Sequence, residues 1–206
     1  MNNKMLIIGL TGPSGAGKGE VGAVLASLGI PHIDTDRVYH DVITPPSACL
    51  DELVAEFGCG ILAPDGSLDR AALAGRVFAD GHEDEREKLN AITHKYVLEK
   101  VREYCKDCEA AKRVAVCVDA PLLFESGFDG ECDKVISVLA DRETRISRII
   151  ARDGISIERA RARIGAQKDD GFYISRADAV IYNNGDRNEL RSRITDILTD
   201  WRVIRL

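Results

Sequence analysis

Apolar residues collect in five short runs along this chain, and the segments between them carry apolar positions at helical spacing. Met5-Leu6-Ile7-Ile8, Ile30-Pro31-His32-Ile33, Arg113-Val114-Ala115-Val116-Cys117-Val118, Lys134-Val135-Ile136-Ser137-Val138-Leu139 and Ala179-Val180-Ile181-Tyr182 read as strands. Glu20 to Leu28 reads as a helix closed by Gly29. Leu190, Ile194, Ile197, Leu198 and Trp201 form the apolar stripe of a last helix, opened by Asp186 and Glu189 at capping-box spacing. Strands alternating with helices predict an α/β protein on a parallel sheet. Residues 47–110 depart from that alternation: after Pro45-Pro46 they read as a run of short helices without a strand, ending in a charged helix from Glu99 to Lys112. Within it, Pro64-Asp65-Gly66-Ser67-Leu68-Asp69-Arg70 supplies a turn and a helix start, with Ser67 or Asp69 as cap.

Length and charge narrow the picture. A chain of 206 residues holds one α/β core with an inserted subdomain rather than two large domains. With 28 Lys+Arg against 34 Asp+Glu, its net charge of −6 argues against a sequence-independent grip on nucleic acid. No apolar run reaches the length that crosses a bilayer, and no membrane association or obligate protein partner is expected. The six cysteines form no small-scaffold framework, which suits reduced thiols and a cytoplasmic location. Cys105 and Cys108 have metal-ligand spacing but no second pair, and read as incidental helix cysteines.

The chemistry begins where the first run stops. Gly12-Pro13-Ser14-Gly15-Ala16-Gly17-Lys18 places two glycines around four residues, followed by lysine, between a strand and a helix. This is the phosphate-cradling P-loop pattern: glycines let backbone N–H groups turn toward phosphate oxygens, the helix N-terminus faces the same anion, and Lys18 adds a charge. Gly19 stands where most P-loops carry a serine or threonine that touches Mg²⁺, so any metal is held through water or by carboxylates elsewhere, with Asp119 and Glu20 the candidates. The fold expected is a three-layer α/β/α P-loop architecture with five parallel strands. Its core spans 1–36, 113–140 and 177–206, a helical substrate-binding subdomain spans 37–112, and a basic helical lid spans 141–176.

Acids stand at the ends of two strands, the edge where open parallel sheets bind ligands. Asp34 can accept a proton from an attacking hydroxyl, and Asp119 can orient a metal. The plain alternative is that Asp36 caps a helix beginning near Val38 while Asp34 fixes the loop. Pro121, Leu122, Leu123 and Glu125 follow Asp119 in an apolar loop able to wall a pocket, and Arg70 and Arg76 can meet an anionic substrate. Between Asp141 and Arg163 stand seven arginines against four acids. Arg145, Arg148 and Arg152 share one helix face while Ile146, Ile149 and Ile150 lie on another. Arginines on a mobile lid neutralise the charge of a transferring phosphoryl group, and Arg148 and Arg152 are the pair chosen for that role. Gly154 and Ser156 separate that helix from the next, giving a helical hairpin. Asn183-Asn184-Gly185 follows the last strand, where backbone groups can meet adenine.

Taken together, several short matches in order resemble the dephospho-coenzyme A kinases. They are the P-loop, Ile33-Asp34-Thr35-Asp36, Asp65 to Arg70, Leu89-Asn90 with His94, Asp119 to Glu125, Arg148 with Arg152-Asp153, Arg163 with Gln167, and Ala177-Asp178 with Asn183-Asn184-Gly185. The resemblance implies transfer of the γ-phosphate of ATP, with Mg²⁺, to the ribose 3′-hydroxyl of dephospho-coenzyme A. It implies Asp34 as base, Lys18 as phosphate ligand and Arg148 and Arg152 as charge stabilisers. Gly12 to Glu20 and Asn184 would complete the ATP site. Asp34, Asp36, Arg70, His94 and the Pro121 to Glu125 loop would bind the acceptor. The chain departs from the family pattern at Gly19, at Lys95, where a proline commonly follows the histidine, and at Tyr173, where a basic residue is usual. Competing readings are a kinase for another nucleoside or nucleotide, or a nucleotide-binding module without transfer.

Overall fold

The computed structural model describes residues 4–77 and 82–204. In chain order the elements are β1 (Leu6–Thr11), α1 (Lys18–Ser27), β2 (His32–Asp34), α2 (Thr35–Val42), α3 (Ala48–Phe57), α4 (Arg70–Val77) and α5 (Glu83–Ala110). There follow β3 (Ala115–Asp119), β4 (Lys134–Leu139), α6 (Arg142–Asp153), α7 (Ile157–Gly165), α8 (Asp170–Ile174), β5 (Ala179–Tyr182) and α9 (Arg187–Asp200). The chain divides into two compact units, one of Met1–Asp34 with Cys105–Leu206, the other of Thr35–Tyr104.

The first unit is a five-stranded parallel sheet in the order β2-β3-β1-β4-β5. All five strands expected from the apolar runs are present, with β2 and β3 each ending on the acid that follows its run. Ile8 and Leu10 of β1 turn to the face covered by α1 and α9, where Val21, Leu25, Ile194 and Leu198 are buried with them. Burying such side chains is worth about 1.5–3 kcal/mol each. α1 stops as its sequence dictates: Gly29 N–H bonds to Ala26 O at 3.0 Å and Ile30 N–H to Leu25 O at 3.1 Å, the paired bonds that close a helix through a left-handed glycine. Gly9 turns to the opposite face, where a Cβ would come 2.8 Å from Leu123 Cδ2.

Residues 141–176, expected as a basic helical lid, belong with the sheet to this first unit. α6 and α7 form the expected hairpin around Ile146, Ile149 and Ala160, with Ser156 capping α7 by accepting from Arg159 N–H.

The second unit holds α2, α3, α4 and most of α5 around Ile43, Leu53, Phe57, Leu73 and Val77, with Leu89, Ile92 and Tyr96 packed against them. Asp69 is the cap of α4, accepting from Ala71 and Ala72 N–H. Two expectations are corrected here. α2 starts at Thr35, so Asp36 lies in its first turn and does not cap it. The supposed run of short helices ends in one 28-residue helix, α5, because no glycine or proline interrupts 83–110. No helix among the described residues is long and apolar enough to cross a membrane.

Candidate active site

Between β1 and α1 the chain turns through Gly12 to Gly17 under tight constraint. Gly12 has φ of +143°, and a Cβ there would lie 2.1 Å from Val138 O of β4; Gly17 has φ of +92°, and its Cβ would lie 2.2 Å from Asn183 Nδ2. Only glycine combines that backbone with that closeness. No side chain caps α1; Glu20 N–H bonds Gly17 O at 3.0 Å, and the first-turn N–H groups before it, with the helix dipole behind them, suit an anion. Lys18 opens the helix and rests its Nζ on Gly12 O at 3.1 Å.

The sheet brings the two candidate acids together. Asp34, exposed at the end of β2, is in register with Asp119, and Asp119 with Leu10, two residues before Gly12. Asp119 is buried: its Oδ2 lies 3.5 Å from His32 Nε2, and its Oδ1 has no hydrogen-bond partner among the described residues. A buried carboxylate oxygen without a donor fits a hard cation. Mg²⁺ characteristically keeps several waters and takes one or two carboxylates plus substrate phosphates, so the absence of a three-ligand cluster among the described residues is compatible with it. Glu20, the other candidate, accepts from Asn183 Nδ2 at 2.9 Å through Oε2, which stands 4.0 Å from Arg148 Nη2. A Cβ on Gly19 would meet nothing within 4 Å.

The basic helix α6 stands directly at the loop. Arg148 directs Nη1 to Gly15 O and Ala16 O at 3.4 and 3.3 Å, and Arg152 reaches Ser14 Oγ at 3.5 Å. Arg152 is itself held by Asp153 through bonds of 2.7 and 3.0 Å, and Asp153 also accepts from Arg163. These bonds, that to Arg152 first, pull the Asp153 carboxyl down to about 2. Its folded-state pKa lies below its unfolded one, so the contribution is complete above about pH 5 and lost as pH falls through about 2. Asp153→Asn should therefore lower the melting temperature at pH 7 and leave it unchanged near pH 2; an equal deficit at both would refute the assignment.

Asn184 Oδ1 accepts from Asp141 N–H at 2.8 Å, fixing the start of α6. Its neighbour Asn183, read from the sequence only as part of the same turn, is the buried one and donates to Ala16 O at 3.1 Å. After β3, Pro121 O accepts from Thr11 Oγ1 at 3.5 Å, Leu122 is 48% exposed, Glu125 is exposed, and Leu123 is fully buried against Gly9. Tyr173 is buried, its ring beside Phe124 of that loop and Phe172, an aromatic contact that a basic side chain would not supply. Asp36, Arg70 and His94 belong to the second unit. There the Arg70 guanidinium lies along the His40 ring, its Nη2 2.7 Å from Nδ1, and His94 is half-buried on α5.

Comparison with known proteins adds three findings. A family model described as dephospho-CoA kinase matches residues 6–189. Proteins named dephospho-CoA kinase from Geobacillus kaustophilus and Moorella thermoacetica are both 42% identical to the chain, covering 97% and 92% of it and 98% and 89% of themselves. Among solved structures, a protein from Thermus thermophilus superposes with a TM-score of 0.80 at 33% identity, over 95% of this chain and 97% of its own. A dephospho-CoA kinase from Campylobacter jejuni does so at 0.68 and 25%, over 95% and 96%. A shikimate kinase from Acinetobacter baumannii, at 0.54 and 18%, shares the fold alone.

Proposed function

The chain belongs to the dephospho-CoA kinase family, and from that premise we propose how its own residues carry a phosphoryl group from ATP to the ribose 3′-hydroxyl of dephospho-CoA. The activity is ATP-dependent phosphorylation of dephospho-CoA to CoA. One observation supports the residue assignment above others: Asp34, Asp119 and the start of the phosphate loop stand in register at the ends of three adjacent strands.

The loop N–H groups and Lys18 hold the phosphates of ATP. Asp34 accepts the proton of the 3′-hydroxyl as that oxygen attacks the γ-phosphorus and the bond to the β-phosphate oxygen breaks. Arg148 and Arg152 exchange their loop partners for the equatorial oxygens of the transferring group and offset its charge. Asp119, through water, and the phosphates would hold Mg²⁺, which supplies further charge neutralisation when bound. For the acceptor we carry over Asp36, Arg70 and His94 of the second unit, with Pro121, Leu122 and Glu125 after β3, whose loop Leu123 anchors from its buried place against Gly9.

The test is product mass after incubation with ATP, Mg²⁺ and dephospho-CoA, beside adenosine and AMP as acceptors. A 3′-phosphorylated product from dephospho-CoA alone is expected; no product with measurable ATP binding would leave only a nucleotide-binding module. A second check uses the open space at Gly19. Gly19→Ser adds the hydroxyl of other P-loops without a clash, so half-maximal activity should need several-fold less Mg²⁺, and α1 should gain up to about 0.5 kcal/mol. An unchanged Mg²⁺ requirement would mean that position 19 does not face the metal.

A further inference from the structure

Arg145 sits in the first turn of α6, and the i, i+3, i+7 spacing of Arg145, Arg148 and Arg152 gives no sign that it differs from the others. In the structure it is only 6% exposed, and no carboxylate of the described residues pairs with it. Burial lowers its pKa from the usual arginine value, yet a guanidinium remains charged. The Asp170 carboxylate favours its charge from beyond ion-pair distance, but burial outweighs that help, and a desolvated cation so weakly compensated is costly.

Its planar fork closes a ring of hydrogen bonds on the phosphate loop. Nε donates to Ser14 O at 3.0 Å, Nη2 donates to Gln167 Oε1 at 2.7 Å, and the same Oε1 accepts from Ser14 N–H at 3.2 Å. Both backbone polar groups of Ser14 are thus held, one by α6 and one by the segment after α7. The next residue is seated as closely: a Cβ on Gly15 would lie 2.7 Å from Arg145 O. Lysine carries the charge but cannot hold two acceptors in one plane.

We propose that Arg145 is a positioning residue for the nucleotide. With Gln167 it sets the Ser14 peptide in the phosphate-binding shape of the loop, and its charge, which Asp170 favours only from a distance, gains a nearer counter-ion when phosphates occupy that loop. Arg145 therefore favours the ATP-bound state over the free one, the differential a coupling requires. The inference rests on the reading of Gly12–Gly19 as the ATP site.

The experiment compares Arg145→Met and Arg145→Lys with the unaltered protein by calorimetric titration with ATP, by KM for each substrate, and by melting with and without ATP. Arg145→Met should weaken ATP binding about tenfold or more, with KM for dephospho-CoA changed less than about twofold. Its free-state melting temperature should be unchanged or raised, because a buried charge that Asp170 compensates only in part is gone, while the rise on adding ATP shrinks. Arg145→Lys should recover only part of the ATP affinity. An ATP affinity within about twofold of the parent, or a free-state melting loss with the ATP-induced rise intact, would overturn the proposal in favour of a purely structural arginine. If Arg145→Met does not fold, Arg145→Lys carries the same comparison. Failure of the unaltered protein to bind ATP would instead remove the ATP-site reading itself.

Discussion

Asp34→Asn loses turnover by roughly a hundredfold or more while ATP binding stays near that of the parent, as expected when a general base is removed from a positioned hydroxyl. Asparagine has the same shape and cannot take the proton. Position 34 is exposed at the end of β2, so the change leaves the sheet bonds of His32 and Ile33 to β3 in place and adds no buried polar group. The measurement is kcat at saturating ATP and dephospho-CoA, with titration of ATP as the binding control. Turnover within about tenfold of the parent would assign proton acceptance elsewhere, and Asp119 would be next to test.

Gly12→Ala acts through a different cause and is severe. Its Cβ would enter the space of Val138 O, a backbone atom of β4 that cannot rotate away, and alanine is strained at φ of +143°. Relief requires β1 and β4 to part at their ligand ends, where Thr11 is paired with Ser137. The expected cost is about 3 kcal/mol or more, or a melting temperature lower by roughly 6–12 °C for a chain of this size, with ATP binding lost. Gly19→Ala is the control, since a methyl there meets nothing. Equal melting of the two variants would mean that the closeness of Gly12 to β4 is not maintained in solution.

Much of this architecture is written locally. The strands announce themselves as β-branched runs, the P-loop as glycine spacing between a strand and a helix, and the acids Asp34 and Asp119 as the residues on which such runs stop. What could not be read depends on register or on packing between distant segments. His32 faces Asp119 only because His32 pairs with Cys117 and Asp34 with Asp119. Arg145 and Arg148 share a helix face by spacing, yet the first is buried over Ser14 and the second half-exposed, a difference set by where α6 starts against the loop. Asn183 and Asn184 are neighbours of one type, and the strand pleat alone sends one inward and the other to Asp141. The length of α5 was legible in the absence of glycine and proline, but its charge obscured it.

The bond from Asn183 to Ala16 O joins residues 167 positions apart, and those from Arg145 and Gln167 to Ser14 span 131 and 153. A ribosome therefore makes the phosphate loop well before the residues that support it. Until β5 and Asn183 have emerged, the glycine turn lacks the partners that fix its shape, and contacts of such separation form slowly because loop closure precedes their reward. Nucleotide affinity is thus a report on completed folding. ATP, by binding the folded chain in preference to the unfolded one, shifts the balance toward it and shields the molecule from proteases that act on the open form.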